Sequence, residues 1–318
     1  MNYYLKRILL AIPSLLATSL VIYILISMVP GDIFGEFAMS PSVTAEAREA
    51  VMKSLGLDQP VHIRYVKWIT AFIRGDWGIS FTTRQPVSKM IFSRLGTTLS
   101  IVGVSFVVGS ILAIPLGVVT ALKKNSLFDH IITTLSFLGF CLPGFFIGLL
   151  FILIFSVKLN WFPFMYDGTV KVTNWASFVK QFKQSIMPIV VLASYETAYL
   201  TRYVRSETLS TMNQDFIRTA RSKGIYEKDV IVRHIIRNSL MPVVTMVILR
   251  IPQVFTGAII TERIFSIPGI GNLLIKSIES NDVPVIVAII FIYSILVVIF
   301  NVIADLLYSI LDPRVTYS

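Results

Sequence analysis

Long apolar stretches alternate with short polar segments along most of this chain. A helix needs about 20 mostly apolar residues to cross the roughly 30 Å hydrocarbon core of a bilayer. Six stretches meet that requirement: residues 8–29, 97–122, 131–157, 186–204, 240–261 and 285–311. The pattern therefore predicts an all-α polytopic membrane protein with six transmembrane helices.

One polar segment, residues 31–95, is long enough to form helices of its own. Ser42 or Thr44 can cap a helix over residues 45–55, and Gly56 follows as a stop signal. We therefore expect a helical segment between the first two spans.

A stripe of apolar and aromatic residues predicts a second helix in the same segment. Its members recur at spacings of three and four: Val61, Tyr65, Trp68, Ile69 and Phe72. Such a stripe either lies in the lipid headgroup region or packs on the spans. We divide the chain into residues 1–95, the first span plus this helical region, and residues 96–318, a core of five spans.

Composition agrees with a membrane protein. Hydrophobic residues make up 55% of the chain and charged residues only 14%, which disfavours a soluble domain. The net charge of +10 is spread over loops between apolar runs, as in membrane-flanking and docking surfaces, so we expect no nucleic-acid partner. A single cysteine, Cys141, excludes an internal disulfide and a cysteine-based metal cage.

The orientation rests on two basic pairs, because lysine and arginine divide almost equally between the two sides. Lys6-Arg7 abuts the first span, and Lys123-Lys124 lies in a very short loop. Short basic loops favour the cytoplasmic side. We therefore expect both termini in the cytoplasm and residues 31–95 outside it.

Catalytic signatures are absent from the sequence. No Gly-x-x-x-x-Gly-Lys-[Ser/Thr] pattern occurs, so the chain has no P-loop for ATP. His62, His130 and His234 are not at metal-ligand spacing from one another or from the cysteine. We expect no catalytic residue, no metal site and no cofactor on this chain, so active transport would draw its energy from another subunit.

A basic segment between the fourth and fifth spans has the pattern of a docking element. Asn213 or Asp215 can cap a short helix in which Thr219 and Ala220 form a face of small residues. Gly224 then reverses the chain, as glycine does after many helices.

A second helix, over residues 227–238, follows the short one. It ends with Arg237-Asn238, and Pro242 opens the next span. We expect this docking segment to contact a partner protein through the following residues: Asp215, Arg218, Thr219, Ala220, Gly224, Arg237, Asn238 and Pro242.

Two ionisable residues, Glu196 and Arg250, lie inside apolar spans. Each is about halfway along its span, roughly 15 Å from the end at about 1.5 Å per residue. Charges at this depth usually pair or face water. They either pair with each other or with a partner subunit, or they line a passage and meet a zwitterionic solute. Asp305 lies nearer a span end, and Pro252 predicts a kink in the fifth span.

The docking segment resembles the EAA loop of ABC-transporter permeases, whose coupling helix seats in a groove of the ATPase subunit. Arg218 stands where the motif usually has its first glutamate, and Pro242 lies farther from Gly224 than in the general form. Both departures resemble the oligopeptide/dipeptide/nickel branch.

Other motifs in the chain are similar to peptide permeases of that branch. They are Val29-Pro30-Gly31-Asp32, Leu55-Gly56-Leu57-Asp58-Gln59-Pro60, Gly75-Asp76-Trp77-Gly78-Ile79-Ser80, the external loop Glu262-Arg263-Ile264-Phe265-Ser266-Ile267-Pro268-Gly269-Ile270-Gly271, and Asp312-Pro313-Arg314.

This resemblance implies a type I ABC importer permease fold in a bacterial or archaeal cytoplasmic membrane. The chain would form half of an alternating-access path with a second, homologous permease. Two ABC ATPases would use ATP and Mg²⁺, and an extracytoplasmic solute-binding protein would deliver substrate. Peptides are the expected cargo, with nickel complexes, glutathione or oligosaccharides as alternatives.

The sequence also leaves two other classes of membrane protein as alternatives. A secondary transporter or channel without ATPases would show inverted repeats with broken helices at matching places, and no convincing repeat is present. A membrane scaffold or sensor would lack a transport path. Only an ABC permease would co-purify with an ATPase.

Overall fold

The computed structural model describes residues 3–28, 59–170 and 172–311. The predicted helix over residues 45–55, with its caps Ser42 or Thr44 and its stop Gly56, lies outside these ranges. So do the motifs at residues 29–32 and 312–314.

Regular structure in the described ranges is helical, apart from an isolated β-bridge between Ile79 and Pro86. The helices, in chain order, are α1 Tyr3–Ser27, α2 Val61–Ile73, α3 Val87–Leu122, α4 Leu127–Cys141, α5 Gly144–Phe151, α6 Trp175–Met212, α7 Asp215–Ser222, α8 Glu227–Asp229, α9 Arg237–Ile264, α10 Ile270–Glu279 and α11 Val283–Leu311. π-helical segments, Ile152–Lys158 and Val230–Ile236, follow α5 and α8.

Within the described part of the chain, three helices are long and apolar enough to cross a membrane. These are Val87–Leu122, Glu227–Ile264 and Val283–Leu307, and a bent pair built from α4 and α5 could supply a fourth span. The apolar part of α1, Leu9–Leu25, is shorter. Helix α6 covers the predicted fourth span, but its apolar stretch carries Glu196 and Arg202. The fold is thus an all-helical membrane architecture.

The third predicted span, residues 131–157, is not one straight helix but falls on a bent helix pair that could form one broken span. Helix α4 ends at Cys141, α5 begins at Gly144, and the two helices are bent by 102°. Pro143 has no N–H and forces the preceding Leu142 into an extended conformation (φ −80°, ψ 130°). The break places the start of α5 against α9.

Pro242 was expected to open the fifth span, but it does not begin a new helix. Residues Glu227–Ile264 form one helical run that passes through both Pro242 and Pro252. A proline inside a helix removes one backbone hydrogen bond, which a membrane helix tolerates when neighbouring helices support it. The second helix of the docking segment therefore continues into the fifth predicted span.

The chain forms two compact units. The first comprises Met1–Gly96 and Gly269–Ile299, and the second comprises Thr97–Pro268 and Phe300–Ser318.

In the first unit, the aromatic stripe of α2 packs on helices α1 and α11. Tyr65 contacts Tyr23, with ring centroids 5.8 Å apart, and its hydroxyl bonds that of Ser19 at 2.7 Å. Trp68 and Phe72 lie against Phe291, at 5.4 and 5.0 Å. The stripe therefore packs against α1 and α11, as one of the two alternatives predicted.

The buried carboxylate of Asp282 fixes the loop that follows Trp77. It accepts hydrogen bonds from the Ser80 hydroxyl and from the Phe81 N–H, the latter at 3.0 Å. Asp282 lies between α10 and α11. Residues 262–271, predicted as a short external loop that leads to the last span, comprise the end of α9, a turn with Ser266 at φ +54°, and the start of α10.

In the second unit, glycines let α3 approach α6 closely. A Cβ added to Gly117 would lie 2.6 Å from Val204 Cβ and 2.8 Å from the Thr201 carbonyl oxygen. About two helical turns before Gly117, the Gly109 carbonyl accepts a hydrogen bond from the Thr197 hydroxyl at 3.3 Å. Small residues at such contacts are the usual means of close helix packing in membranes.

We expect Gly117→Ala to destabilise the protein by about 1–3 kcal/mol, because the methyl group collides with backbone that cannot move aside. Gly103→Ala on the same helix is the matched control, since no atom lies within 4 Å of its Cβ. There the exchange should be neutral or slightly stabilising. Thermal melting of both variants in detergent measures the difference, and equal melting temperatures would contradict the close contact.

Candidate functional site: an intramembrane ion pair and a docking loop

The structure places Glu196 of α6 and Arg250 of α9 in direct contact. Arg250 Nη2 donates to Glu196 Oε2 at 2.8 Å, and the two side chains are only 6% and 1% exposed. In a buried pair of this kind each charge offsets part of the desolvation cost of the other, so loss of one partner alone is strongly destabilising.

Further contacts hold the guanidinium of Arg250. Its Nη1 donates to Gln253 Oε1 at 2.5 Å. The guanidinium carbon, Cζ, lies 3.9 Å from the ring centroid of Tyr199 and 5.7 Å from that of Tyr195. Glu196 Oε1 and Arg250 Nε are buried and have no hydrogen-bond partner among the described residues. The pair thus keeps one unused acceptor and one unused donor.

A cavity of about 620 Å³ borders the pair. Besides Glu196 and Arg250, its wall includes Pro143 and Gly144 at the break before α5, and Gly257 and Ile260 of α9. The unused polar atoms therefore belong to two residues of a largely apolar wall. The sequence analysis identified both charges but missed the helix break at Pro143-Gly144 that borders the cavity.

The docking loop, residues 211–242, contains helix α7, and the N-terminal cap of this helix differs from the prediction. Gln214 is the N-cap residue, and its side chain makes no capping hydrogen bond. Asn213 instead ends α6, where its Nδ2 donates to the Leu209 carbonyl at 3.0 Å. Asp215 is the first helical residue, where its negative charge favours the helix N-terminus.

Thr219 and Ala220 do not form one face, so that part of the prediction was wrong. Ala220 is buried and belongs to an apolar cluster with Ile217, Val230 and Ile235, whereas Thr219 is exposed. Consecutive helical residues point in directions about 100° apart, since a turn takes 3.6 residues. The outer face of α7 is therefore built from exposed Asp215, Phe216, Arg218, Thr219 and Ser222.

Gly224 adopts the left-handed backbone conformation expected of a helix stop, with φ +75°. Across the turn, Arg221 Nη2 donates to Glu227 Oε1 at 2.7 Å and Nε to Oε2 at 3.1 Å. The hydrogen bonds to that carboxylate raise the pKa of Arg221. Arg218 contacts Asp215 at 3.4 Å on the exposed face.

The remaining candidate residues lie on the helical run after α7. Arg237 and Asn238 are exposed, and Asn238 Nδ2 donates to the His234 carbonyl at 2.6 Å. Pro242 is half-buried in α9. Next to it, Val243 packs in a cluster with Val118 and Val204. The structure thus joins the docking loop to α3, α6 and α9, and it places these three residues on a different helix from the outer face of α7.

A second ion pair, which sequence reasoning missed, ties α4 to the end of α6. Arg205 Nε donates to Asp129 Oδ1 at 2.7 Å and Nη2 to Oδ2 at 2.8 Å. Asp129 also accepts the Asn125 N–H at 3.0 Å, and Ser126 caps α4. The helix cap Ser126-x-x-Asp129 was visible in the sequence, but the partner 76 residues away was not.

Within the residues that the structure describes, no group of three His, Cys, Asp or Glu side chains is arranged to hold a metal ion.

Comparison with known proteins covers almost the whole chain. Residues 113–317 match the family described as binding-protein-dependent transport system inner membrane component, and residues 1–102 match its N-terminal counterpart. The oligopeptide transport system permease protein AppB of Bacillus subtilis (strain 168) is 39% identical over 99% of both chains. The glutathione transport system permease protein GsiC of Escherichia coli (strain K12) is 34% identical over 100% of both chains.

A solved structure supports the fold. A crystal structure of an amino acid ABC transporter with histidines has a TM-score of 0.51 and 16% identity, and the match covers 70% of this chain and 94% of that chain. The matched residues, the full-length relatives and the shared helical fold lead to one conclusion. The chain belongs to the binding-protein-dependent transport system inner membrane components, as an ABC importer permease of the peptide family.

Proposed function

We propose that this chain forms half of the translocation path of an ATP-driven importer for peptides. The observation that carries this proposal is the 39% identity to an oligopeptide permease over 99% of both chains. Glutathione, itself a tripeptide, is the second candidate cargo, supported by the full-length match to a glutathione permease.

In the proposed assembly, this chain pairs with a homologous permease, two ABC ATPases and an extracytoplasmic solute-binding protein. ATP and Mg²⁺ are used by the ATPases, and this chain binds no cofactor or metal of its own and no nucleic acid. The binding protein delivers substrate, and ATP-driven closure of the ATPases rocks the permeases between inward- and outward-facing states. Substrate must bind those states differently for the cycle to run.

The docking loop supplies the mechanical link in this proposal. The exposed face of α7 contacts the ATPase, while Ile217 and Ala220 anchor the other face to the run that becomes α9. Because α6 leads into the loop and α9 leads out, a displacement of α7 acts on both helices. The Glu196–Arg250 pair joins those same two helices, so they would move together.

The intramembrane pair also borders the proposed path. Its unused Glu196 Oε1 and Arg250 Nε lie on residues lining the 620 Å³ cavity. A zwitterionic peptide could present an ammonium to the first and a carboxylate to the second. This second role does not exclude the structural one.

We infer six spans with both termini in the cytoplasm, residues 1–95 as the first span plus an extracytoplasmic helical region, and residues 96–318 as a five-span core. The docking loop, residues 211–242, then faces the ATPases in the cytoplasm of a bacterium or archaeon. Helix α2 lies on the opposite side of the membrane.

Cysteine labelling tests this topology. In a Cys141→Ser background, Thr70→Cys on α2 should react with a membrane-impermeant thiol reagent added to intact cells, because Thr70 is exposed. Lys223→Cys in the docking loop is the matched control, equally exposed, and should react only after the membrane is opened. The reverse pattern would invert the orientation.

Co-purification tests the proposed function against its rivals. A tagged chain isolated in mild detergent from its native cells should bring down an ABC ATPase in stoichiometric amount. A secondary transporter, channel or membrane sensor would purify without one, and that result would overturn the proposal.

A further inference from the structure

A second cavity, of about 690 Å³, lies within the first unit and has no part in the ion pair or the docking loop. It is bounded by one face of α2, by the loop after α2, and by the first turn of α11. Arg64, Lys67, Trp68 and Ala71 line it from α2 at spacings of three and four, so they share one helix face.

Three cations line this cavity, and two of them, Arg64 and Lys67, have no counter-ion in the described part of the chain. Arg64 Nε is buried and makes no hydrogen bond there, and neither Arg64 nor Lys67 has an ion-pair partner there. The carboxylate that lines the cavity, Asp76, is exposed and accepts the Gly78 N–H at 3.0 Å. A buried guanidinium nitrogen without a partner is costly, which favours an anionic ligand.

The remaining wall is aromatic and apolar. Tyr23, Trp68 and Trp77 face the cavity together with Pro284 and Val287. Tyr23 lies one turn before the end of α1, and Pro284 and Val287 belong to the first turns of α11. Tryptophan and tyrosine concentrate where membrane helices meet the headgroup layer, and lysine and arginine at that level attract anionic headgroups.

We infer that this cavity binds the phosphate-bearing headgroup of an anionic phospholipid. The phosphate lies between Arg64 and Lys67, and the start of an acyl chain lies along Val287 and the aromatic rings. Phosphatidylglycerol is a suitable probe, because its phosphate carries the only charge. This inference does not depend on the transported substrate.

Quenching of tryptophan fluorescence tests the inference. The full-length chain carries Trp161→Phe and Trp175→Phe, so that only Trp68 and Trp77 emit as tryptophans. It is placed in phosphatidylcholine nanodiscs, into which spin-labelled phosphatidylglycerol or spin-labelled phosphatidylcholine is titrated. The charged lipid should quench at a lower mole fraction than the neutral one.

Charge removal on α2 gives the matched comparison. Arg64→Gln/Lys67→Gln should shift the phosphatidylglycerol curve by roughly 25-fold, at about fivefold per cation near the membrane surface. Arg74→Gln, an exposed residue at the end of the same helix that does not line the cavity, should leave the curve unchanged. Size-exclusion elution and helicity by circular dichroism check that each variant is folded.

Inorganic phosphate distinguishes the two sources of a phosphate group. If millimolar phosphate competes with phosphatidylglycerol, the cavity binds a free phosphate anion and the inference is wrong. If phosphate does not compete, the cavity binds the lipid. Identical quenching by both lipids in the unaltered cavity would overturn the inference. So would an unshifted curve for the folded double variant.

Discussion

Removing either charge of the Glu196–Arg250 pair is expected to lower the yield of folded protein sharply. Glu196→Gln leaves a buried guanidinium without its carboxylate, and Arg250→Met leaves a buried carboxylate without its cation. Loss of one partner of a buried pair costs about 3–5 kcal/mol. The double variant has no charge left to desolvate and should recover most of the yield.

An exposed ion pair in the same chain provides the control. Arg233 contacts Asp229 at 3.2 Å, with side chains 77% and 44% exposed. Asp229→Asn and Arg233→Met should each change stability by less than about 1 kcal/mol, as exposed pairs usually do. Folded yield is measured by size-exclusion chromatography of fluorescent fusions. If both single variants of the buried pair fold normally but lose uptake, the pair serves the solute path instead of the fold.

Gly224→Val is expected to uncouple ATP hydrolysis from uptake while leaving membrane insertion intact. The residue has φ +75°, a conformation that costs an L-residue roughly 1–2 kcal/mol and a β-branched residue more. No atom lies within 4 Å of the position that its Cβ would take, so the effect arises from the backbone alone. The turn would move, and α7 would leave its place against Val230 and Ile235.

Gly224→Asn is the matched control, because asparagine adopts the left-handed conformation far more readily than valine. Uptake per ATP hydrolysed should therefore fall clearly in the valine variant and change little in the asparagine variant. A valine variant that transports at the wild-type rate would remove Gly224 from the coupling element.

The features that could be predicted from the sequence are those that follow from a residue's position along a helix. Glu196 and Arg250 fall near mid-depth of neighbouring spans, and this depth made their pairing a testable alternative before the 2.8 Å contact was seen. The left-handed Gly224 followed from its place after a short helix. Both inferences need only helix geometry and the energetics of charge in lipid.

Other features depend on tertiary contacts and were not predictable from local pattern. Pro143 breaks the third span whereas Pro242 and Pro252 do not break α9, and proline alone does not distinguish the cases. Ala220 faces an apolar cluster because Val230 and Ile235 return across the turn. Asp129 and Arg205 lie on different helices, so the periodicity of a single helix could not predict that they form a pair.

Uptake into proteoliposomes tests the central claim most directly. The complex purified through this chain is reconstituted with ATP inside the vesicles, and a labelled oligopeptide is added outside with the solute-binding protein. The account predicts peptide accumulation that requires both ATP and the binding protein. Equal accumulation without ATP, driven by an ion gradient alone, would contradict it.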